Sequence, residues 1–313
     1  MGQAAAAFIE SLSPEQREAG LLPFEDGRRL EWHFIPKPER KGVQLKHMSE
    51  SQRERAQALL RACLSQIGYE KAETIRALEA ILHELERSRP DGPIRDPERY
   101  YFTLFGRPGP DTKWGLSIEG HHLSLNFVVD QGVLVASTPA FFGANPAEVK
   151  TDFDFGPPKG HRTLAKEEDL AFQLLHSLDD TQRQTAVIDP KAPADLRAAG
   201  EPHPPDSPPA GLPAGRMTPN QQETLRALLE AYLENMPEEV AHGRRREIER
   251  GGFEKIHFAW AGADTPGIGH YYRIQGPSFV VELVNTQPDA SGNPANHIHS
   301  VWRQMGGDFG LAR

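Results

Sequence analysis

Between residues 189 and 217 the chain carries Pro190, Pro193, Pro202, Pro204, Pro205, Pro208, Pro209 and Pro213. Proline lacks a backbone N–H and fixes φ, so that density excludes a helix interior and a central strand. The stretch is expected to run as an extended connector outside the core, dividing the chain into two folded halves.

The flanks of that connector read alike. Ser49 with Gln52 three positions on is a capping-box signal, and Ala56, Leu59, Leu60, Cys63, Leu64 and Ile67 follow at helical spacing. A second helix is expected from about Ala72 to Arg87, stopped by Pro90, Gly92 and Pro93. Short β-rich runs come next, Tyr100 to Phe105, Trp114 to Ile118, His122 to Val129 and Val133 to Thr138, which predict an antiparallel meander. Two shorter helices, Lys166 to Leu178 and Thr181 to Ile188, close the first half.

Beyond the connector, Thr218 with Pro219 and Gln221 opens a helix, Glu238 to Arg250 forms another, and strands follow. Met48, Ser49, Gln52, Glu54, Ala58, Leu59, Leu60, Ala62 and Leu64 match Met217, Thr218, Gln221, Glu223, Ala227, Leu228, Leu229, Ala231 and Leu233 at one constant offset. WGLSIEGHHLSLNF from Trp114 aligns with HYYRIQGPSFVVEL from His270, matching Ile118 to Ile274, Gly120 to Gly276 and Glu119 to Gln275. The predicted fold is therefore α+β, an internally duplicated unit of two helices and an antiparallel sheet in a pseudo-twofold arrangement. Its parts are an irregular lead-in over 1–47, a first half over 48–188, the connector over 189–216 and a second half over 217–313. The halves are expected to pack as one domain, to meet near 120 and 276, and to leave a cleft there. Two unrelated segments with similar amphipathic helices are the plainer explanation.

A net charge of −9 argues against binding to nucleic-acid phosphates. No run of about eighteen apolar residues predicts a membrane span, and a cytoplasmic location is expected. The single cysteine, Cys63, excludes an intramolecular disulfide and every CxxC motif, and its place in an apolar stripe makes it a packing residue. A metal site here must use histidine, carboxylate or amide ligands. GxGxxG, GxxxxGK[ST] and GxSxG patterns are all missing, so no nucleotide cofactor and no α/β-hydrolase nucleophile is indicated.

Histidine is where the chain is informative. On an extended segment, His297 and His299 point to the same side and can reach one ion. Adjacent His121 and His122 would face opposite sides of a regular strand, unless Gly120 introduces a bulge that re-aims them. On that strand Glu119 and His121 share one face, while His122, Ser124 and Asn126 share the other. The functional reading is a cleft holding one divalent transition metal, Zn, Fe or Cu, with His121, His122, His297 and His299 as ligands or acid/base groups. Glu119 and Glu282 are ligands or supporting groups. Asn126, Tyr272, Arg273, Asn296, Trp302 and Arg303 are candidates for holding a small polar substrate, and the reaction would be hydrolytic or oxidative. The alternative from another class is a non-catalytic protein that binds a small ligand or peptide. Aromatics in alternating strands are more often core, and the Arg244, Arg245, Arg246 run reads as a solvated helix face.

Several stretches are specific enough to carry a resemblance: RKGVQLKHMS from Arg40, YYFTLFG from Tyr100, WGLSIEGHHLSLNF from Trp114, STPAFFGANPAEV from Ser137, HFAWAG from His257, HYYRIQGPSFVVE from His270 and NHIHSVWR from Asn296. Together they resemble the uncharacterised family known as domain of unknown function 3500. The resemblance implies one long domain and transfers no activity. Members tend to carry an acidic residue where Val284 stands and a shorter link than Pro288 to Ala295, so an acidic ligand at Val284 is not expected here. Related chains continue past the equivalent of Arg313, so a shortened C-terminus is expected.

Overall fold

A computed structural model describes residues 1–88 and 91–311. Pro90, expected to help end the second helix, lies outside the described residues. The chain starts with helices where an irregular lead-in was expected, α1 (Gly2–Ser11) and α2 (Pro14–Gly20). Ser13 and Gln16 form a capping box at α2, the same signal as at Ser49 and Thr218. Then come β1 (Leu21–Leu22), β2 (Val43–Gln44), α3 (Glu50–Cys63), α4 (Gln66–Leu85), β3 (Tyr101–Phe105), β4 (Lys113–Gly120), β5 (Leu123–Asp130), β6 (Val133–Ala136) and β7 (Ala140–Ala144). The second run is α5 (Ala165–Ser177), α6 (Asp180–Ala186), β8 (Val187–Asp189), β9 (Leu212–Pro213), α7 (Pro219–Leu233), α8 (Glu238–Gly251), β10 (His257–Gly262), β11 (His270–Gln275), β12 (Phe279–Gln287) and β13 (His297–Gln304). Ile67, expected on the apolar stripe of the first helix, starts the next one instead and is exposed.

The fold is α+β, with one thirteen-stranded mixed sheet in the order β1-β3-β4-β5-β7-β13-β12-β11-β10-β8. β2 and β9 pair at β3 and β10, and β6 pairs with β5. The two runs occupy opposite ends of this sheet and join where β7 pairs with β13, Ala140 opposite Trp302 and Ala144 opposite Ile298. The strand junction is therefore β7 with β13 rather than a meeting of the hairpins at 120 and 276, as expected; the first hairpin reaches it through His122, and the second lies within its own run.

Registers match between the runs. Tyr101 faces Glu119 and Phe102 faces Ile118 as His257 faces Gln275 and Phe258 faces Ile274. Val43 faces Phe102 and Gln44 faces Tyr101 as Leu212 faces Phe258 and Pro213 faces His257. The capping glutamines match as well. Gln52 Nε2 donates to Gln16 Oε1 at 2.7 Å and to Ser11 O at 2.8 Å. Gln221 Nε2 donates to Gln182 Oε1 at 2.8 Å and to Ser177 O at 2.7 Å.

One sheet face is covered by the helices, which bury Leu59, Ile81, Leu174, Leu228 and Cys63 with the strand residues Leu125, Phe142, Ile274, Leu283 and Trp302. The other face carries a second cluster, Trp32, Phe34, Phe141, Leu196, Tyr271, Val284 and Val301. Its cover is irregular chain, the segment before β2 and the proline-rich connector. The connector is not outside the core as expected: Leu196 is buried, and Ala194, Ala198 and Glu201 carbonyls accept bonds from Thr286, Arg303 and Trp32. Proline removes donors but leaves carbonyls, so a polar strand face can bind to an extended proline-rich segment through side-chain donors. Among the described residues, no helix is long and apolar enough to cross a membrane.

Candidate metal centre

β4 and β5 are joined by two residues, His121 and His122, with Gly120 opposite Leu123. Neither histidine is in a strand, so the alternation that would part them does not operate. Gly120 introduces no bulge, since the register of β4 on β5 runs unbroken to Gly120 opposite Leu123; a two-residue turn re-aims the rings instead. His122 has φ of 57°, which non-glycine residues rarely adopt. Two bonds hold it there: its N–H donates to Phe34 O at 2.9 Å, and its carbonyl accepts from Gly143 N–H at 2.9 Å. The Tyr100 hydroxyl donates to His121 O at 2.7 Å. Its ring lies so close to Gly120 that a Cβ there would come within 2.4 Å of Tyr100 Cδ1.

The strand with the HxH pattern meets this turn. His297 and His299 of β13 converge as their spacing predicts, and His299 pairs with Gly143 of β7. His297 Nε2 lies 2.7 Å from His122 Nε2 and 3.0 Å from His299 Nε2. The ligand atoms of these three residues lie within 4.8 Å of one another, so the group could hold a metal ion. The small residue at 143 permits the approach, since a Cβ there would meet His122 Cδ2 at 3.1 Å.

The outer nitrogens are also engaged. His299 Nδ1 is 2.8 Å from Asp195 Oδ1, a carboxylate supplied by the connector. Burial raises Asp195, but the hydrogen bond and charge of His299 outweigh it and leave the group below its ordinary value. His297 Nδ1 is 3.4 Å from Asn145 Nδ2, while Asn145 Oδ1 is buried without a partner. An amide can present either end; turned over, Oδ1 accepts the Nδ1 hydrogen and is no longer orphaned. Asp195 keeps hydrogen on Nδ1 of His299 and a lone pair on its Nε2, and Asn145 with its amide turned over would do the same for His297, the arrangement metal-bound histidines use. Burial, then the neighbouring imidazoles, holds His122 well below the usual range and brings His297 down to about 2. Both rings are neutral near pH 7.

His121 turns elsewhere. Its Nδ1 is 2.5 Å from Glu79 Oε1, and Arg95 stands at 3.1 Å, itself paired to Glu86 at 2.7 Å. Burial lowers the His121 pKa and Glu79 opposes the shift. Its ring lies 3.7 Å from that of His122, and Glu79, His121 and His122 form a second group able to hold an ion.

Several predicted residues are not at the imidazoles. Glu119 is paired to Lys41 at 2.9 Å and Arg40 at 3.7 Å, and it shares a face with Ser124, its cross-strand partner, rather than with His121. Glu282 accepts from Arg197 Nε at 2.6 Å and Tyr271 OH at 2.5 Å. The carboxylates that touch the cluster are Glu79 and Asp195, far away in sequence and unmarked by any motif. Asn126 donates to Ser124 Oγ at 3.3 Å and Pro139 O at 3.1 Å. Tyr272 lies in the helix-side core, bonded to Tyr232 OH at 2.5 Å, and Trp302 stacks on Phe279 at 4.7 Å. Arg273 is on the connector side beside Glu282, its cross-strand partner, with Nε buried and unpartnered. Arg303 binds Asp308 at 2.8 Å and two connector carbonyls. Asn296 alone adjoins the site: it ties the residue before His297 to Glu148 and Asp289. Two sizeable cavities, of about 510 and 1200 Å³, are not lined by the converging imidazoles.

The geometry defines an α+β protein with three imidazoles, two buried and one half-buried, aimed at one point. The sequence profile of the family described as protein of unknown function (DUF3500) matches residues 1–311, and the chain belongs to that family. No curated protein matches the chain, and no solved structure does.

Proposed function

We propose that His122, His297 and His299 bind one divalent transition metal and that the chain is a metal-dependent enzyme acting on a small polar molecule. The carrying observation is the set of Nε2 contacts. With the Asn145 amide turned over, Asp195 and Asn145 fix hydrogens on the outer nitrogens of His299 and His297, so at most one N–H, from His122, is left to serve two Nε2···Nε2 contacts. Nitrogen lone pairs so aimed repel one another, and a cation relieves them. The remaining positions on the ion would be open to water and substrate.

A neutral ligand set leaves the full charge of a dication to lower the pKa of bound water, which favours the hydrolytic reading over the oxidative one. Ionised Asp195 behind His299 would orient that ring and strengthen its nitrogen as a donor. The matched registers and paired glutamines support a second part of the proposal, an internal duplication. One unit runs from α1 to β7 and the other from α5 to β13, which puts α5 and α6 with the second unit. The site then takes His122 from the first unit and His297 and His299 from the second.

Elemental analysis of protein purified without an affinity tag tests the metal reading. About one transition-metal ion per chain is expected, with loss of metal from the His297→Ala, His299→Ala double variant. Stoichiometric metal retained by that variant would overturn it.

A further inference from the structure

The Arg-Arg-Arg run of α8 was expected on a solvated face, yet Arg244 is buried, with 7% of its surface exposed. Its NH2 group donates to Ser137 O at 3.0 Å and to Ser137 Oγ at 2.8 Å, while NH1 is buried without a partner. Among the described residues no carboxylate forms an ion pair with it; Glu230 and Glu238 pair with Arg245. Burial lowers its pKa to about 10, with Glu247 pulling the other way, so the group is a cation at neutral pH. The guanidinium lies 4.8 Å from the centroid of the Trp302 ring, whose Nε1 is a second buried N–H without an acceptor. A buried cation beside unused donors is costly unless an anion completes it.

Space for that anion exists. Arg244 and Ser137 line the cavity of about 1200 Å³, whose wall includes Trp114, Val129, Leu134 and Leu311. We propose that this cavity binds a small organic carboxylate, its charged end on Arg244 NH1 and the Ser137 hydroxyl and its apolar body against these side chains. Ser137 Oγ accepts from Arg244 and keeps its own hydrogen to donate, so two donors meet the two oxygens of one carboxylate. Glu239 and Glu247 stand on the same wall with Arg246, so beyond Arg244 the wall adds no net positive charge to hold a more highly charged ligand such as phosphate. The proposal is independent of the metal reading.

Hexanoate is the probe, with hexanamide and inorganic phosphate for comparison, and binding is read by tryptophan fluorescence and by Tm. Hexanoate is expected to shift both readouts and hexanamide to bind at least tenfold more weakly. Arg244→Met should weaken hexanoate at least tenfold. The His297→Ala, His299→Ala double variant should bind it as the native chain does, which separates this site from a carboxylate captured by a metal. Where Arg244→Met does not fold, Ser137→Ala and the hexanoate-to-hexanamide ratio in the native chain decide. Equal binding of the amide, tighter binding of phosphate, retained binding in folded Arg244→Met, unchanged binding in Ser137→Ala, or loss in the double histidine variant would each overturn the proposal.

Discussion

At the scale of single residues, the burial of His297 has a consequence in acid. Unfolded, an imidazole titrates near 6.5; folded, His297 is held down to about 2, chiefly by burial and then by the charges of His299, His121 and Arg95. Above pH 6.5 the ring is neutral in both states and its contribution to stability is fully present. As the pH falls below 6.5, the unfolded chain takes up a proton the folded chain refuses, so stability drains away toward the folded value, by up to about 1.4 kcal/mol per pH unit. Urea unfolding of metal-free protein at pH 7.5, 6.5 and 5.5 should show this loss, and His297→Asn should flatten it. Equal slopes in the two proteins would show that the ring titrates in the folded state. Convergence of His297 and His299 was legible because period-two alternation applies within a strand. The roles of Asp195 and Glu79 were not, since a carboxylate in a proline-rich run and one on a helix carry no local mark of a distant imidazole. Arg244 was misread for a related reason: a run of three arginines suggests a solvated face, while helical geometry turns one in three toward the sheet.

Elements explain why the turn at the paired histidines was read as strand. A strand-to-strand return needs about two residues at its apex, and here both are histidine, where glycine or asparagine would have signalled a turn. The only local sign was Gly120, which serves the close approach of Tyr100 rather than a bulge. This makes the hairpin a rigid support for His122, braced by Tyr100, Phe34 and Gly143 together. Gly120→Ala forces a methyl group into the Tyr100 ring, and overpacking of this kind costs about 1–3 kcal/mol. It should also move the turn off its braces and weaken metal binding by about 10–100-fold, as loss of an orienting contact does. Competition with a chromophoric chelator measures the second effect and urea unfolding the first. Native metal affinity in a destabilised Gly120→Ala protein would separate the hairpin from the metal site. The connector was legible as extended and non-helical, but its position was not. Proline content reports backbone freedom, whereas Asp195, Leu196 and Arg197 dock it on the sheet by contacts that no spacing rule encodes.

For the whole molecule, the α+β class was legible because caps and strand periodicity mark helices and strands along the chain, while the junction was not, because no local pattern announces that β7 pairs with β13. That junction governs how the protein should unfold. The helix-side cluster is continuous across both runs, joining Leu59, Leu125 and Phe142 to Leu228, Leu283 and Trp302. The sheet is also continuous, so separating the runs would expose the β7 and β13 edges and break the apolar contact beneath them. Neither run has a closed core of its own, and the connector caps the opposite face with groups from both, binding β12 and β13 of the second run while Trp32 of the first donates to Glu201. One cooperative transition is therefore expected in calorimetry, with calorimetric and van't Hoff enthalpies in agreement, although the chain is large enough to divide into two domains. Occupation of the trio should raise that single transition as a unit, since the ion would bind His122 from one run and His297 and His299 from the other. Two resolved endotherms, with metal shifting only one of them, would mean that the runs fold separately and that the ligands do not span their junction.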